Sequence, residues 1–490
     1  MSTIQVTLSQ SVVDEMHKLS LQYPTAGSIN TIVNNVDKIG YSISTSHLYY
    51  SSIHQFGSTI VLSFPDGSTE NFYGTTVNPY SPSGTTSANE ITFIHPGVAS
   101  IGEAGAFTYN YSNTTSGYSF YSTGGTLTSW SATTSLPSSS PSYNPDFGNI
   151  SIQLQGNVAS DANHNFSGTL TSVTTTADKY ISSGSIQGTF QISGNSTSIG
   201  ANLSSSTVTG SLTSLTQKYY DGSISTFDGQ GSSINISNNQ NIGLEILNNP
   251  LQGNNTVNVD LPSTLYSPVN VALGDGNNSV TLKGGGGSLS TTLGNGNNTI
   301  YLVDGNHSVT AGTGIDTVVL AGYAQNYSIT NTTSGYTVSD NTGLNGPDNL
   351  TNVDRLKFSD GSGLALDLGN GGHAQRVAEI LGAVFGPASI QAYPNYVGIG
   401  LNALDNGMSV SQLNALALQA AGKISNTDIV NLLYTNVLGV APTAVQAAQY
   451  ITMLNNGMSA GALATAAEEN SINDTHINLV GLQQTGIHYT

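Results

Sequence analysis

The sequence predicts a mainly β protein with an α-helical C-terminal domain, built from a stacked or solenoid-like β region and a short parallel β-roll. Three observations carry that prediction. Glycine-rich segments with the frame Gly-x-Gly-x-(Asn/Asp)-x-apolar recur between Leu273 and Val319. A Gly-(Thr/Ser)-Leu-Thr-Ser-apolar hexapeptide recurs three times upstream of them. After Gly369 the apolar spacing changes from the period of a strand to that of a helix. Four segments follow: 1–58, small and mixed; 59–238, β-rich and repetitive; 239–367, the roll with flanking strands; and 368–490, helical with an internal duplication.

In the first segment Val12, Val13, Met16 and Leu19 fall on one helical face behind Ser11, an N-cap residue type. From Thr59 the period is two. Thr59 to Phe64, the turn residues Pro65 to Ser68, and Glu70 to Tyr73 together predict a β-hairpin. Gly125-Thr-Leu-Thr-Ser-Trp130, Gly168-Thr-Leu-Thr-Ser-Val173 and Gly210-Ser-Leu-Thr-Ser-Leu215 lie 43 and 42 residues apart. Each mixes apolar and hydroxyl residues as a half-buried strand does. Their fixed period predicts stacked β units, a solenoid or a layered sheet. The Ser/Pro cluster from Ser135 to Pro145 predicts a surface loop.

The glycine frame then sets in. Leu273-Gly-Asp-Gly-Asn-Asn-Ser-Val280 is nearly copied by Leu293-Gly-Asn-Gly-Asn-Asn-Thr-Ile300. Val303-Asp-Gly-Asn-His-Ser-Val309 and Gly312-Thr-Gly-Ile-Asp-Thr-Val318 follow at nine-residue steps. A degenerate copy runs from Lys283 to Leu289, and Gly253-Asn-Asn-Thr-Val257 reads as a leading row. Such a period predicts glycine turns joined by short stacked strands. Downstream stand Val353-Asp-Arg-Leu-Lys-Phe-Ser-Asp-Gly361 and Ala365-Leu-Asp367.

With these two motifs in that order, residues 250–370 resemble the RTX family of type I-secreted bacterial proteins. The resemblance implies Ca²⁺ held by turn carbonyls and one Asp per row. It also implies an uncleaved C-terminal export signal and an extracellular, cell-surface location. Calcium takes six to eight oxygen ligands, and glycine supplies the turn angles that other residues resist. The candidate metal-holding residues are Gly274, Asp275, Gly276, Asn278, Gly294, Gly296, Asn298, Asp304, Gly312, Gly314 and Asp316. This chain departs from the family at the Asp position, which is filled by Asn278, Asn298, His307 and Asp316. Weaker calcium sites are one consequence. Asn amides stacked as ladders in a metal-free solenoid are the alternative.

The helical segment repeats itself. Arg376 to Phe385 ends at Gly386, a C-cap candidate. Asp405-Asn-Gly-Met-Ser409 returns as Asn455-Asn-Gly-Met-Ser459, 50 residues on. Ser409 with Gln412, and Thr443 with Gln446, have the spacing of capping boxes. The unit is similar to small helical repeats that accompany rolls in secreted proteins and in some bacterial surface-layer proteins.

Composition narrows the function. Nine Lys and Arg against 28 Asp and Glu give 490 residues a net charge of -19. Nucleic acid is excluded as a partner, because binding it needs a basic surface. No cysteine is present, which excludes disulfides and thiolate metal sites. No apolar run is long enough to span a membrane. The first residues have neither a basic nor an apolar leader region, so no cleaved secretory leader is expected. The tail from Leu479 to Thr490 is weakly amphipathic and, with His488 neutral, uncharged.

No His-Glu-x-x-His or phosphate-binding loop occurs. Gly457-Met-Ser-Ala-Gly461 matches a nucleophile elbow, which needs a strand before it. In a helical repeat Ser459 fits a helix cap better. Tyr49-Tyr50 and Tyr219-Tyr220 are candidate sugar platforms, for which packing is the better explanation; His47 to His54 is a candidate haem cluster, which an ordinary strand with exposed polar residues explains as well. The expected function is therefore a secreted, non-catalytic structural protein that self-assembles into a sheet or filament. A secreted adhesin that binds glycans or surfaces through residues 60–240 and a secreted hydrolase with an unrecognised N-terminal catalytic domain are the alternatives; besides copies of itself, cell-surface polysaccharide is the candidate partner.

Overall fold

The computed structural model describes residues 2–7, 52–65, 67–75, 83–97, 99–114, 117–140, 148–161, 165–179, 181–195, 207–229, 234–236, 247, 250–262, 268–284, 289–343 and 346–490. The helix expected behind Ser11, His47, the Tyr49-Tyr50 pair and residues 285–288 of the degenerate glycine segment lie outside them. The fold is β-rich with its helices gathered toward the C-terminus. It divides into two compact units, Met1–Val269 and Asn270–Thr490.

In the first unit the strands are β1 (Ser2–Thr7), β2 (Ser52–Phe56), β3 (Thr59–Ser63), β4 (Thr69–Tyr73), β5 (Ser83–His95), β6 (Ala99–Thr114) and β7 (Gly117–Thr134). They continue with β8 (Ile150–Asp161), β9 (Asn165–Ala177), β10 (Ile181–Asn195), β11 (Thr207–Tyr219), β12 (Ile224–Asp228), β13 (Ile234–Ile236) and β14 (Asn255–Leu261). From β2 to β12 each strand pairs antiparallel with the next, β3 and β4 forming the expected hairpin. β1 then joins β12 antiparallel and β14 parallel. The period of 42 to 43 residues is therefore one hairpin of an antiparallel meander, not one coil of a solenoid. Ser, Thr and Gln on alternate positions leave the other face polar, as an antiparallel sheet allows.

Register explains the hexapeptide. Strict alternation would send Leu170 and Val173, three residues apart, to opposite faces. Both are buried. An extra residue in β9 makes this possible: Gln155 opposes Ser172, but the next residue, Gly156, opposes Leu170. The same slip takes Ala104–Ser129 to Gly105–Leu127 and Gln187–Ser214 to Gly188–Leu212. Each hexapeptide thus encodes a β-bulge, which bends its strand. At the slips the strands approach closely. A Cβ on Gly156 would lie 2.2 Å from Thr169 O, and one on Gly168 2.1 Å from Asn157 O.

One row of neighbours crosses ten strands on the inner face: Ile60, Phe72, Ile91, Glu103, Trp130, Leu154, Val173, Ile186, Leu215 and Phe227. Glu103 is its one polar member. It stands where the later hairpins carry Leu154 and Ile186.

The second unit begins with two stacks of short parallel strands. One contains β16 (Ser279–Gly284), β18 (Thr299–Leu302), β20 (Thr317–Leu320) and β24 (Arg355–Lys357). The other contains β17 (Leu289–Leu293), β19 (His307–Thr310) and β23 (Asp348–Thr351), preceded in sequence by β15 (Val269–Leu273). The chain alternates between the stacks. Its inward residues Val280, Leu282, Ile300, Val309 and Val318 are almost wholly buried. A hairpin of β21 (Tyr327–Thr332) and β22 (Gly335–Asp340) extends the second stack. β25 (Gly363–Ala365) and the C-terminal β26 (Ile487–Tyr489) close the first.

The helices are α1 (His373–Phe385), α2 (Ser389–Ala392), α3 (Pro394–Asp405), α4 (Val410–Ala420), α5 (Asn426–Leu438), α6 (Ala444–Asn455), α7 (Ala460–Glu468), α8 (Ser471–His476) and α9 (Leu479–Thr485). Both capping boxes form, Ser409 with Gln412 and Thr443 with Gln446. Gly386 follows α1 with φ of 84°. Val377, Ile380 and Val384 of α1 are buried, as are Val430, Leu433 and Val437 of α5, 53 positions on. α4 and α7 cross so closely that a Cβ on Gly461 would lie 2.1 Å from Ser411 O.

Candidate functional site in the glycine-turned coil

The turns before β16, β18 and β20 each have two glycines with different tasks. Gly276, Gly296 and Gly314 have φ of 139°, 123° and 127°, a region costly for any residue with a Cβ. Gly294 and Gly312 meet the row below: their Cβ atoms would lie 2.6 Å from Gly274 C and 2.5 Å from Gly294 O. The turns are further tied by backbone bonds from Gly276 N to Asn295 O and from Gly296 N to Thr313 O, 2.8 and 2.7 Å.

Between the turns run ladders of side chains. Asn278 donates from its backbone N (3.0 Å) and its Nδ2 (2.9 Å) to Asn298 Oδ1. Asn298 does the same to Asp316 Oδ1, at 3.0 and 2.8 Å. The Asp316 N–H donates to Asp354 Oδ2 at 2.8 Å. These four residues each precede a strand of the first stack. Asn278, Asn298 and Asp316 are 2%, 1% and 0% exposed. On the second stack His307 donates from its backbone N to Asp348 Oδ1, and its ring Nδ1 lies 3.1 Å from the same oxygen.

A second set lies nearer solvent. Asp275 Oδ1 accepts from Asn295 N at 2.7 Å, and Asn295 Oδ1 from Thr313 Oγ1 at 2.7 Å. Asn277 Oδ1 accepts from Asn297 N, whose own Oδ1 accepts from Ile315 N. Asp304 Oδ1 accepts from Gly284 N. Side-chain oxygens expected as metal ligands thus accept hydrogen bonds from the adjacent row.

The electrostatics single out the last rungs. Burial raises the pKa of Asp316, against the two hydrogen bonds from Asn298. Burial also pushes Asp354 up to about 7, against the Asp316 N–H it accepts. Asp316 Oδ2 is buried and has no hydrogen-bond partner among the described residues. Among the described residues no three His, Asp or Glu side chains gather into a metal-holding group.

The two downstream motifs meet. Arg355, 3% exposed, forms ion pairs with Asp367 and, at 3.0 Å, with Asp405, which also lies 2.7 Å from His373 Nδ1. Tyr489 donates its hydroxyl to Leu356 O and Gln483 its Nε2 to Leu368 O. The coil end and helices are thus joined within one unit. Ser459 is the helix cap the sequence favours: it caps α7 by accepting from Ala462 N, with a helix rather than a strand before it.

Sequence reasoning missed Asn277, Asn295, Asn297, Asp348 and Asp354 as ladder members. The repeated Asn-Asn of the first two rows was the available signal. It also missed a carboxyl pair in the first unit. Glu70 is pushed up to about 7 by burial and by the charge of Glu103. No protein-family model, characterised protein or solved structure matches this chain.

Proposed function

We propose that this chain is a secreted, non-catalytic structural protein that self-assembles into a sheet or filament at a bacterial cell surface. The observation that carries the reading is the burial of Asn278, Asn298 and Asp316 in ladders. These side chains hold strands together and are not presented to a substrate. The glycine frame and the Val353 to Gly361 motif support an RTX-type origin and type I export. Edge geometry supports association between copies: among the described residues β2 pairs only with β3, and Phe56 at its end is 66% exposed. An unpaired edge is a template for another chain.

Calcium belongs to this proposal at one row. Asp316 follows Gly312 and Gly314 as Asn298 follows Gly294 and Gly296, but brings a carboxylate with an unpartnered buried oxygen. Those residues would hold the ion. When bound it would neutralise the carboxylate and tie the turn, assisting folding. Sedimentation velocity of the full chain in millimolar calcium is expected to show species far larger than a monomer. A monomer at all concentrations would overturn the reading.

A further inference from the structure

We propose that the side-chain amides of Asn255, Asn278 and Asn298 take the place of a cation in their turns, so that these rows hold together without metal. In each row Nδ2 reaches the carbonyls two and four residues back. Asn278 Nδ2 lies 3.0 Å from Gly276 O and 3.3 Å from Gly274 O. Asn298 Nδ2 lies 3.1 Å from Gly296 O and 3.4 Å from Gly294 O. Asn255 Nδ2, within the first unit, lies 2.7 Å from Gly253 O and 3.2 Å from Leu251 O. All three residues are at most 2% exposed.

The orientation of each amide follows from chemistry. Flipped, its oxygen would face two carbonyl oxygens that have no proton to give. Asn298 Oδ1 would also be lost as acceptor for both donors of Asn278. In the Asn278 and Asn298 rows one N–H of the NH₂ group donates to the next row's side-chain oxygen, and the other points between the two carbonyls, nearer the glycine two residues back. A calcium ion needs those oxygens turned to itself at about 2.3 to 2.6 Å. It would have to displace a buried, hydrogen-bonded donor and would meet the positive end of its dipole.

The Asp316 row is the exception that makes the rule testable. A carboxylate has no N–H, and Oδ2 has no partner. Asp316→Asn supplies the missing amide; Asn298→Asp removes one. Asp316 and Asn298 are read in the full chain by thermal unfolding in excess EDTA and in millimolar calcium, whether or not the protein assembles. Asp316→Asn is expected to unfold in EDTA no lower than the native chain, and to lose nothing on chelation. Asn298→Asp is expected to unfold about 5 °C lower in EDTA and to recover in calcium. The proposal is overturned if chelation lowers the unfolding temperature of Asp316→Asn. It is equally overturned if Asn298→Asp matches the native chain in EDTA. Should Asn298→Asp fold in neither medium, Asp316→Asn alone decides.

Discussion

A methyl group added at Gly168 would strike Asn157 O across the sheet at 2.1 Å. The neighbour is backbone and cannot swing aside, so the strands must separate. Gly168→Ala is expected to destabilise the first unit by about 1 to 3 kcal/mol, read from its urea midpoint. Glu468 sets the opposite kind of constraint, a buried acid where the first copy of the helical unit has Leu418. It is fully buried, accepts from Asn414 Nδ2 at 2.6 Å, and is pushed by burial up to about 8. Unfolded, it ionises near 4.5. Between those values the unfolded chain holds fewer protons than the folded one, so stability falls as pH rises. The loss is at most about 1.4 kcal/mol per pH unit for this one group, and it levels off above the folded pKa. Glu468→Gln is expected to remove that share of the slope, as denaturant titrations across this pH window will show.

At the scale of the element, local patterns in the sequence were legible wherever the neighbour that completes them lies a few residues away. The capping boxes at Ser409 and Thr443, the cap at Ser459 and the hairpin from Thr59 to Tyr73 are of that kind. The hexapeptide was legible as strand but not as bulge, because its slip is defined against a partner strand. The coil's Asn positions were visible as a repeat. Their choice of partner, the next row or an ion, depends on where each amide nitrogen points, which spacing does not encode. Arg355, Asp367 and Asp405 lie far apart in sequence and meet only in the fold. Removing Arg355 leaves the Asp367 carboxylate, 10% exposed, without its cation, and takes an ion pair from the more exposed Asp405. Arg355→Ala is expected to cost about 3 to 5 kcal/mol, seen by calorimetry as a lower unfolding temperature for the second unit.

For the molecule as a whole, the change from solenoid to meander matters. A solenoid grows by adding coils at an open end. Here β25 and β26 pair at the C-terminal end of the coil's first stack, within the second unit. Under the proposed self-assembly, copies would join through another surface, and the β2 edge of the first unit offers unpaired backbone among the described residues. The glycine frame, with Asn278, Asn298 and His307 at the Asp position, pointed either to weak calcium sites or to Asn ladders without metal. Row by row, three Asn amides fill their own turns and Asp316 alone retains the character of a cation ligand. The chain is proposed to be a structural subunit. Electron microscopy of the purified full chain, in millimolar calcium and after chelation, tests it most directly. Ordered sheets or fibres are expected in calcium. Dispersed single particles under both conditions would contradict the proposal.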